Sequence, residues 1–278
     1  MHPPLHAVRE AVARALAEDI GPLGDLTTSL LPADAKATAD MVPRKLGILA
    51  GRLAATEAFF QVDPRIHIDW WADDGHRVIA GQPVATVTGR LGSILIAERT
   101  ALNFLCHLSG IATLTRRYAD AASPGANVRD TRKTTPGLRA LEKAAVRAGG
   151  GLNHRGNLSD GILLKDNHLF GISIEEAVAK ARSLYPGRPI QVECDSLRQA
   201  QVAALVGADL VLLDNMTPGQ VSDCVSVLRT TGYQGVVEVS GGVTLENVPT
   251  YASAGAQLIS VGALTHSAPS LDIGLDLR

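Results

Sequence analysis

The sequence predicts an α/β fold whose second part is a parallel β/α barrel, smaller than the eight-stranded type, with six or seven strands. Three observations predict it. Short apolar runs recur after about residue 125, at 127–129, 161–164, 189–192, 209–213, 235–239 and 257–261. Segments of helical spacing lie between them, at 173–184, 196–206, 217–230 and 245–254. Reactive side chains or glycines follow nearly every run. Continuous apolar strands alternating with helices signal a parallel sheet covered by helices. A doubly wound open sheet is the alternative, but no G-x-G-x-x-G follows the first run.

The first part of the chain reads differently. Leu5, Val8, Val12, Leu16 and Ile20 recur at helical spacing and predict a helix over 5–19, stopped by Gly21-Pro22. Residues 24–28 form a turn, 44–51 a strand and turn, 53–60 a helix and 67–71 a strand. Val78 and 84–87 are short strands around the turn 80–83. The stretch 74–85 has the look of half a lipoyl or biotinyl carrier domain. A carrier needs a lysine to modify, and none occurs between Lys45 and Lys133. The stretch is therefore read as a small structural β-hammerhead. From Ile94 the pattern turns helical, as one long helix or two consecutive ones.

Composition narrows the function. The chain has 278 residues, 46% of them hydrophobic, enough for one large domain or two ordinary ones. A net charge of −2 argues against a global basic field for nucleic acid. Cys106, Cys194 and Cys224 are scattered, with no C-x-x-C and no zinc spacing, which fits a reducing cytosol. Met1-His2-Pro3-Pro4 lacks the pattern of a signal peptide, and no apolar run is long enough for a membrane helix. The expectation is a soluble, cytoplasmic protein.

The chemistry gathers at the strand ends, where barrel enzymes place their active sites. Arg132-Lys133 follows the first run and Lys165-Asp166-Asn167-His168 the second. Glu193 follows the third, Asp214-Asn215 the fourth, Ser240-Gly241-Gly242 the fifth and Gly262 the sixth, with His266 just after. Any one of these could be a solvated loop residue; six in register are hard to assign to solvation. The Ser240-Gly241-Gly242 and Val261-Gly262-Ala263 ends look like a phosphate cradle, since glycine lets backbone N–H groups approach phosphate oxygens and a following helix N-terminus adds its dipole. Glu193 and Asp214 have three readings: an acid/base pair, a Mg2+ site, or partners of Lys165 or Lys133 in structural ion pairs. Arg132, Lys133, Arg139, His154 and Arg155 concentrate cations near one strand end. Two like charges at ~4 Å repel by roughly 4 kcal/mol at an effective dielectric of ~20, so a multiply anionic substrate is the natural complement. Arg139, Lys143 and Arg147 share a helix face, and Lys143 and Arg147 read as solvated.

The motifs 132–139 (RKTTPGLR), Glu142-Lys143, 149–155 (GGGLNHR) and 164–168 (LKDNH) together resemble the core of the quinolinate phosphoribosyltransferase family. So do 212–215 (LLDN), 240–242 (SGG), 261–267 (VGALTHS) and 271–276 (LDIGLD). Early in the chain Glu18-Asp19, 24–28 (GDLTT) and 98–103 (ERTALN) match as well. The resemblance covers essentially the whole chain. It implies an N-terminal α/β sandwich domain over 1–110, joined by the tail 268–278, and an incomplete β/α barrel over 111–267. The implied reaction joins quinolinate to phosphoribosyl pyrophosphate, giving nicotinate mononucleotide, pyrophosphate and CO2 in NAD biosynthesis, with Mg2+ and no organic cofactor. By the same resemblance Arg99, Arg132, His154, Arg155 and Lys165 bind the quinolinate carboxylates. Lys133 and Lys165 contact the pyrophosphate side, Glu193 and Asp214 face the ribose and Mg2+, and Lys133, Lys165, Glu193 and Asp214 form the catalytic set. Ser240, Gly241, Gly242, Val261, Gly262, Ala263 and His266 cradle the 5′-phosphate. The family's counterpart of Arg99 reaches the neighbouring subunit's site, which implies a homodimer or larger homo-oligomer.

Cys194 stands where the family pattern leads one to expect an aliphatic or acidic residue. The two-residue period of a strand turns it away from Glu193, so it should not affect the chemistry. A sister family from molybdenum-uptake loci shares the Pro-Gly and His-Arg motifs but is less faithful at the Lys165 strand end. A phosphoribosyltransferase for nicotinate would need fewer cations around the ring carboxylate. A non-catalytic sugar-phosphate binder would not need Glu193 and Asp214 together.

Overall fold

A computed structural model describes residues 2–278. In chain order the elements are α1 (Leu5–Ile20), β1 (Lys36–Pro43), β2 (Gly47–Ile48), α2 (Arg52–Val62), β3 (His67–Trp70), β4 (Arg77–Val78), β5 (Ala85–Arg90) and α3 (Leu91–Ala122). There follow β6 (Asn127–Arg129), α4 (Arg139–Ala148), β7 (Ile162–Leu164), α5 (Ile174–Leu184), β8 (Ile190–Cys194), α6 (Leu197–Leu205) and β9 (Leu210–Asp214). The last are α7 (Pro218–Thr230), β10 (Val236–Ser240), α8 (Val248–Ser253), β11 (Leu258–Ser260), α9 (Ala263–His266) and β12 (Ile273–Leu277). Among the described residues no helix is long and apolar enough to cross a membrane.

The chain forms two compact units. The first runs to Arg116 and includes Lys133–Gly150 and Ala263–Arg278; the second comprises Arg117–Arg132 and Gly151–Gly262. The expected division at residue 110 falls inside α3, which is one unbroken helix. The segment 133–150, expected with the barrel, belongs to the first unit. Local packing explains why. A Cβ at Gly149 would lie 2.6 Å from Cβ of Thr115, so the end of α4 sits hard against α3. His107 of α3 bonds Glu142 of α4 at 2.8 Å.

The first unit is built on an antiparallel sheet of order β12-β1-β5-β3. β12 pairs along β1 from Ala39↔Leu277 to Pro43↔Ile273, so the C-terminal tail does return to the N-terminal sheet. Val8, Val12 and Leu16 of α1 and Phe59 of α2 are buried, as their helical spacing requires. β1 is absent from the sequence reading. Its residues, Lys-Ala-Thr-Ala-Asp-Met-Val-Pro, are mostly poor strand formers, and pairing on both sides makes it a strand. The hammerhead expected over 74–85 does not form as a unit. β4 pairs with β2 in a separate two-stranded sheet, while β5 joins the larger one. Lys143, read as solvated, is buried, because nearly every residue of the alanine-rich α4 is enclosed.

The second unit carries a six-stranded parallel sheet of order β6-β11-β10-β9-β8-β7. An isolated parallel bridge joins Arg129 to Leu152 beyond β6. The helix starts were legible. Ser173, Ser196 and Thr217 each cap a helix, accepting from the N–H of Glu176, Gln199 and Gln220 respectively. The helix expected over 245–254 is shorter, Val248–Ser253, with Pro249 in its first turn.

Strand register sorts the second unit's side chains. Val192, Cys194, Val211, Leu213, Val237, Val239 and Ile259 share one face and are buried. The opposite face carries Gln191, Glu193, Asp214, Glu238, Ser240 and Ser260. The apolar face takes the helices; the polar face carries the candidate site residues Glu193, Asp214 and Ser240.

Gly110 of α3 marks a close approach in the first unit. A Cβ there would meet the carbonyl of Pro269 and lie 2.9 Å from Cα of Ser270. Gly110→Ala should lower stability by about 1–2 kcal/mol, overpacking outweighing the better helix propensity of alanine. Thermal melts check this, and a melting temperature at or above wild type would mean that helix and tail part without strain.

Candidate active site

Lys165 follows β7 directly, and the register Leu164↔Val192 places it beside Glu193 on the polar face. Its Nζ donates to Glu193 Oε2 in an ion pair. Glu193 is partly buried and Lys165 keeps 41% of its side-chain exposure. A pair so open to water adds little to stability, so its positions matter more than its energy. Of the three readings of Glu193, the ion pair with Lys165 is present, and the other two concern a bound substrate or metal. A ligand that takes the ammonium would release the carboxylate.

Asp214 closes β9 two residues beyond Leu212, the register partner of Glu193, so both carboxylates project from one face of neighbouring strands. Asn215 Nδ2 donates to Asp214 Oδ2 at 2.7 Å. Asn215 itself holds a left-handed backbone, φ 54°, uncommon outside glycine. Its N–H donates to the carbonyl of Ser240 at 2.9 Å.

That contact shapes the glycine turn. Gly241 and Gly242 have φ of 89° and 63°. At Gly241 a Cβ would meet the amide oxygen of Asn215 and lie 2.9 Å from its backbone N, so glycine is required by both space and φ. Asn247 Nδ2 donates to the carbonyl of Gly242 at 3.0 Å. The expected helix dipole does not follow directly, since α8 begins only at Val248. Val261 is a correction to the expected cradle. Its side chain is buried, and its N–H donates to the carbonyl of Arg129 at 2.9 Å, so it offers an anion no donor.

The turn after Leu152 carries the cations. Asp130, fully buried, accepts from Asn153 Nδ2 at 2.5 Å and from His154 N at 2.8 Å. His154 Nδ1 accepts from Arg155 N at 2.8 Å. An imidazole accepting at Nδ1 carries its proton on Nε2, which makes His154 a hydrogen-bond donor at that nitrogen. Arg155 Nη1 donates to the carbonyl of Gly161 at 3.1 Å. Burial, and then the positive charge of Arg132, press the Arg155 guanidinium below its usual range, which places these two arginines in one field. An anion between them would reverse that repulsion.

The other expected residues belong to the first unit. Arg99 is exposed on α3, and Lys133 is exposed with its carbonyl accepting from Thr265 Oγ1 at 2.7 Å. Glu142, with no exposure, accepts Thr135 N–H at 3.1 Å and fixes the loop after Lys133. Ala263 opens α9, and His266 lies exposed at its end with Nδ1 2.7 Å from Ser267 Oγ.

Sequence reasoning passed over Glu238. It lies inside an apolar run, on β10, with no exposure. Its Oε2 accepts from Arg129 Nη1 and Gln191 Nε2, each at 2.8 Å, and Ser260 Oγ bonds its Oε1. A glutamate between valines in a buried strand was the available signal, because an unpaired buried carboxylate is prohibitive.

Two carboxylates on one face set a limit on metal binding. Among the described residues no cluster of three His, Cys, Asp or Glu side chains is arranged to hold a metal ion. Glu193 and Asp214 alone fit Mg2+ that brings its own oxygen ligands, on a phosphate and water, rather than a site made wholly of protein.

Cys194 faces the helices, and burial pushes its thiol up to about 12. Only thiolate reacts with alkylating agents, so Cys194 should stay unmodified by iodoacetamide at pH 8 in the native chain and react once unfolded. Mass spectrometry reads the outcome; rapid native labelling of Cys194 would contradict this orientation.

The chain is similar to known proteins over nearly its whole length. The family pattern described as quinolinate phosphoribosyl transferase, N-terminal domain, matches residues 25–109, and that of its C-terminal domain matches 111–276. A Mycobacterium leprae protein named nicotinate-nucleotide pyrophosphorylase (carboxylating) is 44% identical over 277 residues, covering 98% of this chain and 97% of that one. A Bacillus subtilis protein with the probable same name is 41% identical, covering 94% and 90% of the two chains. The solved structure of nicotinate-nucleotide pyrophosphorylase from Francisella tularensis superposes with a TM-score of 0.93 at 38% identity, covering 99% of this chain and 97% of that one.

Proposed function

The chain belongs to the quinolinate phosphoribosyltransferase family, and we propose from that premise that it transfers phosphoribosyl from phosphoribosyl pyrophosphate to quinolinate with loss of CO2, in NAD biosynthesis. The observation that carries this reading is the polar face of the second unit. It sets Lys165, Glu193 and Asp214 beside a glycine turn, and Arg132 and Arg155 share one positive field.

The reaction makes three demands. The bond from the anomeric carbon to pyrophosphate breaks, and positive charge develops on the ribose. Glu193 and Asp214 supply negative charge from one face to stabilise it. Lys165 is held by Glu193 and moves to the departing phosphate oxygens as their charge grows. Mg2+, held by Glu193 and Asp214 together with the pyrophosphate, would neutralise leaving-group charge. The ring nitrogen of quinolinate then bonds the anomeric carbon. The resulting pyridinium accepts the electron pair left when the 2-carboxylate departs as CO2, and ring carbon 2 takes a proton. Arg132 and Arg155 hold the two carboxylates and orient the ring. Ser240, Gly241 and Gly242, with Gly262, receive the 5′-phosphate. The three free cysteines suit a reducing, cytoplasmic setting.

Incubation with phosphoribosyl pyrophosphate, Mg2+ and either quinolinate or nicotinate tests the reading. Quinolinate should yield equal amounts of CO2 and mononucleotide; turnover with nicotinate alone would sink it. Arg155→Ala should raise the quinolinate KM by about 10–100-fold, the loss of one charge-assisted bond of roughly 1.5–3 kcal/mol. An unchanged KM would remove Arg155 from the carboxylate site.

The proposed assembly is a homodimer in which Arg99 of one subunit serves the other's site. Arg99→Ala and Arg155→Ala chains should each be nearly inactive, and random remixing should restore about a quarter of wild-type activity, because half the dimers then carry one intact site. No recovery despite proven subunit exchange would place Arg99 in its own subunit's site, or in none.

A further inference from the structure

We propose that Glu238 is a positioning residue for dicarboxylate binding, acting through Arg129 and His154 on the Asn153–Arg155 turn; the inference rests on the functional reading above. Glu238 is fully buried, and both its oxygens have partners. Through Oε2 it holds Arg129 Nη1 at 2.8 Å, and the same guanidinium donates through Nη2 to the carbonyl of Asn153 at 3.2 Å. Through Oε1 it faces His154 Nε2 at 3.7 Å, beyond hydrogen-bond length but within reach of charge. The opposite side of the turn is tied to Asp130. Two buried carboxylates therefore grip one turn, Asp130 by the Asn153 amide and the His154 N–H and Glu238 by its supporting arginine and its charge beside the His154 ring.

The arrangement separates the arginines by task. Arg129 keeps 15% side-chain exposure and has its charge balanced by Glu238. It is a strut, its charge spent inside the fold, and it supports the turn that carries Arg155. The His154 ring is held in one tautomer from two sides: Arg155 N–H needs an acceptor at Nδ1, and the Glu238 carboxylate favours N–H at Nε2. Replacement of Glu238 by Gln removes one negative charge and leaves the shape. An amide nitrogen at the Oε2 position would confront two donors, and one at the Oε1 position would confront His154 Nε2–H.

The charge change and the positioning change act in opposite directions. Loss of a negative charge beside a basic cluster would tighten a dianion; loss of positioning would loosen it. Glu238→Gln should raise the quinolinate KM about tenfold or more while moving the phosphoribosyl pyrophosphate KM less than about twofold. Calorimetry with phthalate, a dicarboxylate whose ring has no nucleophilic nitrogen, should show the same loss of affinity. Nitrogen-15 shifts of the His154 ring should report Nε2–H in the wild type, and the Nε2 signal should move in Glu238→Gln while Nδ1 still accepts from Arg155 N–H. If that variant does not fold, Arg129→Lys serves instead. It keeps a cation for Glu238, shortens the reach to Asn153, and should weaken phthalate severalfold. Dicarboxylate affinity equal to or tighter than wild type in a folded variant would overturn the proposal. A wild-type chain that neither binds phthalate nor releases CO2 from quinolinate would overturn the functional reading, and this inference with it.

Discussion

Glu238 imposes the main constraint on the second unit. An ionised carboxylate without water carries a desolvation penalty of several kcal/mol unless charge and hydrogen bonds answer it. Its partners come from three other strands: Arg129 from β6, Gln191 from β8 and Ser260 from β11. The sheet order puts β6 and β8 each two strands away from β10. One side chain thus ties together the inner face of five adjacent strands. Strand register then decides which residues look toward it. A slip of one residue would turn Glu193, Asp214 and Ser240 among the helices and bring Cys194, Leu213 and Val239 to the polar face. The placement of the candidate site residues depends on a register that the buried charge helps to specify.

The same face shows how a modest net charge coexists with a strongly cationic site. Structural cations are neutralised at close range, Arg129 by Glu238 and Lys165 by Glu193. The Lys165 pair is half open to water and can exchange partners, whereas the Arg129 pair is enclosed and cannot. Burial thus separates a movable cation from a fixed one, though residue type alone gives no such distinction.

Much of this was legible in the sequence. The helix starts at Ser173, Ser196 and Thr217 carry capping signals that act locally. The barrel strands are continuous apolar runs, and the strand-end residues follow them. What escaped depends on distant pairing. β1 is a weak strand former made regular by two neighbours, and Lys143 is buried although its helical spacing alone reads as a solvated face. Glu238 was visible as a letter but unreadable as a hub, because Arg129 and Gln191 lie 109 and 47 positions away. Val261 looked like part of a phosphate cradle, and only the bond from its N–H to Arg129 shows that the donor is already engaged.

The sheet order also leaves β6 and β7 as its two ends, each only three residues long. A barrel that does not close has edges, and an unpaired edge is a template for another chain's strand. Here the template is too short to be useful. Leu152 bridges the outer side of β6, and the chain leaves β7 at once for the Lys165 loop. The ends of the open sheet are thereby made poor places for strands of other molecules to add, through brevity rather than closure.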